Sequence, residues 1–232
     1  MPPKNPWTNI CWYKTIADCD KPIIARYLVG IGKGKQSTQI HNEMLPEPFI
    51  GDLDASVYLL NGNPGVTPVD LSLTNNTLFE KQIQDNLCQR TKPIRFMWIA
   101  PKISPIISGC RHSGYDWWED KLSDVLALKP DPKICNIEYF PYHSYQMPSM
   151  KSSLPSNDFV DWYIIDAVKK DKWIIVLRCK DKWLNRIPAL NGYPKLLFCI
   201  NPRNVRISPQ NLCNSSGARI SDITWKNLIN AM

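Results

Sequence analysis

No stretch of the chain approaches the ~20 consecutive apolar residues needed to cross a bilayer, and the opening Met1-Pro2-Pro3-Lys4-Asn5-Pro6-Trp7 contains no apolar signal region. A protein that stays in the cytoplasm, away from membranes, is expected. The eight cysteines include no Cys-x-x-Cys pair, and a chain of this length does not need disulfide staples, so neither disulfides nor zinc is expected. Cys135, Cys179 and Cys199 sit in apolar runs and read as small core residues. The Gly-x-Ser-x-Gly elbow of many hydrolases is missing, and so is any paired metal-ligand motif. Gly30-Ile31-Gly32-Lys33-Gly34-Lys35 lacks the Gly-Lys-Ser/Thr ending and the following helix of a phosphate loop, and reads as a basic loop. No metal or other cofactor is expected, and no internal repeat is visible.

What is present is 232 residues, 44% of them hydrophobic, enough for one large α/β domain. Lys plus Arg exceed Asp plus Glu by 28 to 21, a net charge of +7. The whole excess lies in residues 151–232, with 13 basic and 6 acidic side chains, while residues 1–150 balance at 15 and 15. A basic face of this kind suits a polyanion such as DNA, and it equally suits a solvated surface.

The first fifty residues, rich in Pro, Gly and aromatics, are expected to form an irregular extension anchored on the core by Trp7, Trp12, Tyr13 and Tyr27. Residues 51–232 are expected to form the α/β domain. Four short apolar runs predict buried strands: Ala55–Leu60, Ile134–Phe140, Trp173–Arg178 and Lys195–Ile200. Helical patterns lie between them at Thr77–Gln89, Trp117–Leu128, Asp158–Lys169 and Trp183–Leu190. The alternation predicts a central four-stranded parallel sheet flanked by helices, and in such a sheet ligands collect at the carboxyl ends of the strands.

Two of those ends carry Asn-Pro turns, Asn61-Gly62-Asn63-Pro64-Gly65 and Asn201-Pro202-Arg203. Turns of this kind leave backbone N–H groups free to face a ligand, and each alone is also an ordinary way to reverse the chain. Together and in this order they resemble the first and last motifs of the uracil-DNA glycosylase superfamily, closest to its single-strand-selective and mismatch-specific branches. Those motifs read Gly-Met/Ile-Asn-Pro-Gly and His/Asn-Pro-Ser. The resemblance covers roughly residues 50–210 and rests on a handful of positions.

The resemblance implies a DNA glycosylase, which flips a base out of DNA and hydrolyses its N-glycosidic bond to leave an abasic site. It places Asn63 where the attacking water is oriented and Asn201 where charge on the departing base is steadied. Both side chains are therefore expected at one pocket, within ~15 Å of each other. Gly62, Pro64 and Gly65 would contact the base. The chain departs from the family at Asn61, in place of the first glycine, and at Arg203, in place of serine. Gly65 stands where the strictest uracil enzymes carry a tyrosine that excludes 5-substituted pyrimidines, so a group at C5 is expected to fit.

A further departure is Glu138-Tyr139-Phe140-Pro141, where several members read Asn-Leu-Cys-Pro. An acidic side chain there suits the exocyclic amine of cytosine, and a buried, protonated carboxyl would also supply a proton to N3. Phe140, Tyr142 and His143 follow as candidates to stack on or shape a base pocket. Lys180, Arg203 and Arg206 are candidates for phosphate contacts that position DNA without reading its sequence. Tyr115, Trp117 and Trp118 read as packing, with a nucleic-acid contact as the alternative.

The reading that follows is a monomeric glycosylase acting on a C5-modified cytosine-type base, with antiviral defence against modified phage DNA as its setting. Uracil excision in repair and a non-catalytic nucleic-acid binder of the same fold are the alternatives.

Overall fold

Four of the strands are buried on both faces, which is why they read as short continuous hydrophobic runs rather than as alternating patterns. A computed structural model describes residues 1–30, 38–90, 94–99, 112–149 and 153–232. Most of the glycine- and lysine-rich segment beginning at Gly30 lies outside these residues. In chain order the strands are β1 (Phe49–Gly51), β2 (Val57–Asn61), β3 (Ile134–Glu138), β4 (Trp173–Val176), β5 (Leu196–Cys199) and β6 (Leu212–Cys213). The helices are α1 (Lys21–Gly30), α2 (Pro68–Ser72), α3 (Thr77–Leu87), α4 (Ser113–Lys121), α5 (Ser123–Leu126), α6 (Asn157–Lys169), α7 (Lys180–Arg186) and α8 (Asp222–Ala231).

The sheet order is β1-β3-β2-β4-β5-β6. The expected four-stranded parallel sheet is thereby corrected to a six-stranded mixed one. Its central strands β3, β2, β4 and β5 pair in parallel, while β1 joins β3 and β6 joins β5 antiparallel. The predicted helix over Trp117–Leu128 is two helices, α4 and α5, separated by a turn at Leu122 that the apolar pattern did not mark. The chain leaves β2 toward β3 on one side and leaves β4 toward β5 on the other. A crevice at the carboxyl ends of β2 and β4 follows from that divergence.

The short edge strand β1 is secured by side chains rather than by length. Asn86 of α3 accepts from Gly51 N and donates to Phe49 O, both at 2.8 Å, occupying backbone groups that would otherwise be open to another strand. Gly51 has φ +104°, and a Cβ there would stand 2.2 Å from the carbonyl oxygen of Ile134. Only glycine fits this close approach of β1 to β3.

Residues 1–50 are not irregular throughout, since they contain α1 and most of β1. Trp7 is buried in the same hydrophobic cluster as the sheet, and Trp12 and Tyr27 are partly buried against it. Tyr13, expected as an anchor, is 93% exposed. The anchor that replaces it is polar. Buried Asp20 accepts from Tyr142 Oη at 2.8 Å, from Ser156 N at 2.9 Å and from Ser156 Oγ at 2.6 Å, joining the N-terminal segment to the loop after β3 and to the start of α6.

Removing that carboxylate strands three buried donors. Asp20→Ala should lower unfolding stability by about 3 kcal/mol, measured by urea titration at neutral pH.

Candidate functional site

A cavity of about 310 Å³ opens at the carboxyl ends of β2, β3 and β4, a size at the lower end of the ~300–1,000 Å³ of small-ligand sites. Asn61 ends β2, Glu138 ends β3 and Arg178 follows β4; all three line it. Trp98, Trp117, Trp118 and Tyr145 form its aromatic walls. The expected site residues Asn63, Pro64, Gly65 and His143 line it as well.

The Asn63-Pro64-Gly65 turn is locked onto the loop that follows β3. Asn63 Nδ2 donates to Ser144 O at 2.9 Å, to Ser144 Oγ at 3.0 Å and to Pro64 O at 3.0 Å. His143 Nδ1 donates to Gly65 O at 2.6 Å, and Nε2 lies 3.3 Å from Glu47 Oε1. Burial works against a charge on His143, but the hydrogen bond and negative charge of Glu47 outweigh it and raise the imidazole pKa. Glu47 lines the cavity too, so the N-terminal segment contributes directly to the site.

Glu138 is fully enclosed. Its Oε1 accepts from Asn136 Nδ2 at 2.8 Å and from Asn61 Nδ2 at 3.3 Å, while Oε2 has no partner among the described residues. Burial pushes the carboxyl up to about 8, with nearby Glu47 adding to the rise and the Asn136 hydrogen bond opposing it. At neutral pH the group is therefore mostly protonated. Because Oε1 already accepts two N–H groups, the proton belongs on Oε2. Asn61 Oδ1, His112 Nε2 and Arg178 Nε are likewise buried without a partner among the described residues. Four unanswered polar atoms from residues around one aromatic-walled cavity are the pattern expected of a site built for a polar, planar ligand.

His112 caps α4, with its Nδ1 accepting from Gly114 N at 3.0 Å. Its ring stacks on Trp98 at 4.7 Å and on Phe79 at 5.1 Å. Asp70 Oδ1 lies 3.5 Å from Nδ1. An ion pair at that contact would need a proton on Nδ1, where the Gly114 N–H already points, and burial lowers the pKa of the ring. The imidazole is accordingly neutral, with its proton on Nε2.

The remaining expected site residues lie elsewhere. Phe140 and Tyr142 are buried in the core and do not line the cavity: Phe140 packs edge-on against Tyr142, whose hydroxyl is committed to Asp20. Gly62 does not line it either; its carbonyl accepts from Phe140 N at 2.9 Å, and a Cβ there would meet Cys179 Sγ at 3.3 Å. Asn201 was expected at the cavity and is not brought to it. It is exposed, and its Oδ1 accepts from Arg203 N and Asn204 N within its own turn. Its turn follows β5, which β4 separates from β2.

Lys180, Arg203 and Arg206 are exposed on the β4 and β5 side of the crevice. Lys180 Nζ sits over the Phe198 ring at 4.2 Å, and Arg206 Nε donates to Asp124 at 2.8 Å. Trp117 and Trp118 line the cavity, whereas Tyr115 is core. Arg178 lies over Trp117 at 5.5 Å. Glu47, Asn61, Trp98, His112 and Arg178 were not anticipated. Asn61 alone left a signal, as a departure from the family pattern inside its best-matched motif. Among the described residues no group of three His, Cys, Asp or Glu side chains converges as a metal site, and no helix is long and apolar enough to cross a membrane.

The pKa of Glu138 makes stability depend on pH. Its folded value, about 8, lies above the ordinary carboxylate value, so the neutral form favours folding below about pH 4.5 and that advantage is lost as pH rises through about 8. Unfolding free energies of the protein and of Glu138→Gln, from urea titrations, should diverge between pH 5 and 8 in favour of the variant, by about 5 kcal/mol at most, and the difference should level off above that range.

No protein-family model, no curated protein and no solved structure matches the chain.

Proposed function

We propose that the cavity receives a pyrimidine base everted from DNA and that the protein is a DNA glycosylase. The observation that carries this reading is the pair of unpartnered polar atoms at the adjacent ends of β2 and β3, enclosed by indole rings. Glu138 Oε2–H is a donor and Asn61 Oδ1 an acceptor, matching the N3 acceptor and N4 amino donor of cytosine. Trp98, Trp117 and Trp118 supply the flat apolar faces that a heterocycle stacks against. Gly65 adds room, since a Cβ there would meet nothing within 4 Å. That space favours a base carrying a substituent at C5.

In the proposed reaction the C1′–N1 bond breaks with its electron pair going to the base, and a water oxygen bonds to C1′. The Nδ2 of Asn63 is committed to Ser144 and Pro64, so its Oδ1 is the atom left to hold that water. An amide orients the water without taking its proton, and the proton passes to solvent. Excision by this route depends on stabilising the departing base more than on activating water. Lys180 and Arg203, exposed beside the crevice, suit phosphate contacts.

The test is incubation with single- and double-stranded oligonucleotides containing uracil, cytosine, 5-methylcytosine or 5-hydroxymethylcytosine, followed by alkali and sizing of the strands. Cleavage should be strongest at a 5-substituted cytosine. Asn63→Ala should slow excision by ~10²-fold while DNA binding persists, and Glu138→Asn should move the preference toward uracil. Binding without cleavage at any base would establish the non-catalytic alternative and end the glycosylase reading.

A further inference from the structure

We propose that Glu47 is a positioning residue: it holds His143 as a doubly protonated imidazolium, and that ring fixes the Gly65 carbonyl and with it the Asn63-Pro64-Gly65 turn that lines the cavity. The contacts stand whatever the cavity binds, and the consequence for excision rests on the glycosylase reading.

Each ring nitrogen of His143 meets an acceptor. Nδ1 lies 2.6 Å from the carbonyl oxygen of Gly65, which has no proton to give, so Nδ1 carries one. Nε2 lies 3.3 Å from Oε1 of Glu47. A neutral imidazole has a single N–H and would leave one of these two oxygens facing a nitrogen lone pair. If Nδ1 kept the proton, Glu47 would be released and the ring would lose the contact that orients it. If Nε2 kept it, the Gly65 carbonyl would be released instead. Only the imidazolium answers both. The residue is 2% exposed, so a lost partner is not replaced from bulk solvent. Ser144 holds the other two members of the turn, through Asn63 Nδ2 and through its own N–H to Pro64 O at 3.3 Å, which leaves His143 to hold the third.

The surrounding elements set the charge on the ring. Burial, the largest influence, lowers its pKa, while the hydrogen bond and charge of Glu47, the Gly65 carbonyl and Asp70 of α2 together raise it. Glu138 at the end of β3 is mostly protonated and His112 before α4 is neutral, and the charge of His143 pushes both in those groups' pKa downward. Arg178 after β4 lines the same cavity. His41 donates its backbone N–H to His143 O at 2.9 Å, but its own ring is paired with Glu43. Glu47 is therefore the carboxylate that touches the ring. Because the folded value is raised, the brace is complete below the ordinary imidazole value of 6.5 and is lost as pH rises through the folded one.

Imidazole and amide resonances provide the test. Uniformly ¹⁵N-labelled Glu138→Gln protein, in which the neighbouring carboxyl no longer titrates, is compared by NMR from pH 5 to 9 with the same protein carrying Glu47→Gln as well. The amide oxygen introduced there still accepts from Nε2, so the second change removes the negative charge and keeps the contact. In the first protein His143 should carry protons on both nitrogens at pH 6, and the Asn63 Nδ2 and Gly65 N–H signals should move with the His143 midpoint. Glu47→Gln should lower the shared midpoint by about one pH unit or more. A neutral His143 at pH 6, a His143 transition that the Asn63 and Gly65 signals ignore, or an unchanged midpoint in Glu47→Gln would each overturn the role.

Excision gives a separate reading in the otherwise native protein. Glu47→Gln should slow it about tenfold more at pH 8 than at pH 5.5. Equal slowing at both would make Glu47 merely structural and overturn the proposal. Should the native protein excise nothing, the glycosylase reading falls, and the shared midpoint alone upholds or overturns the positioning role.

Discussion

Glu138 is a carboxyl group taken out of water without an ion partner, and the rest of the site follows from how the sheet holds it. Strand register sets Asn61 of β2 opposite Glu138 of β3. Asn136, two residues earlier, faces the same side because side chains alternate along a strand. Both amides turn their nitrogens to Oε1. This fixes the proton on Oε2 and simultaneously turns Asn61 Oδ1 away from the carboxyl as an unanswered acceptor. One burial event thus produces a donor and an acceptor side by side. Each unsatisfied buried group costs about 1–3 kcal/mol, a burden that a sheet as thoroughly enclosed as this one can carry.

The second support comes from outside the parallel sheet. Glu47 lies just before β1, and its contact with His143 lets the imidazole hold the Gly65 carbonyl. The Asn63-Pro64-Gly65 turn is therefore braced from two directions, by Ser144 through the asparagine and by His143 through the glycine. Asp20 secures the same loop one residue further back, through Tyr142. The N-terminal segment is the counterweight of the Asn63-Pro64-Gly65 turn rather than an appendage to it.

Much of this fold was legible because its central strands are short, apolar and closed off by polar turns. The edges were not. β1 has three residues and owes its position to an asparagine 35 residues away, whose side chain stands in for a strand; nothing local announces such a contact. In the site, Asn63 and Glu138 were legible because turn chemistry and strand ends are local properties. Asn201 shows the limit of that logic: its turn was read correctly as a turn, but the strand that separates it from β2 is a fact of sheet order. His112 was invisible for the opposite reason. It is a lone histidine at a helix start, and only the fold brings it to the cavity that Asn61 and Glu138 border.

The open side of Gly65 separates two properties that binding sites usually confound. The hydrogen-bonding atoms come from the strand ends and α4, whereas the space beside Gly65 is bordered by nothing within reach of a Cβ. A single codon change at this position resizes the cavity while every donor and acceptor stays in place. A lineage carrying this scaffold can alter the size of what fits while the groups that recognise it stay as they are.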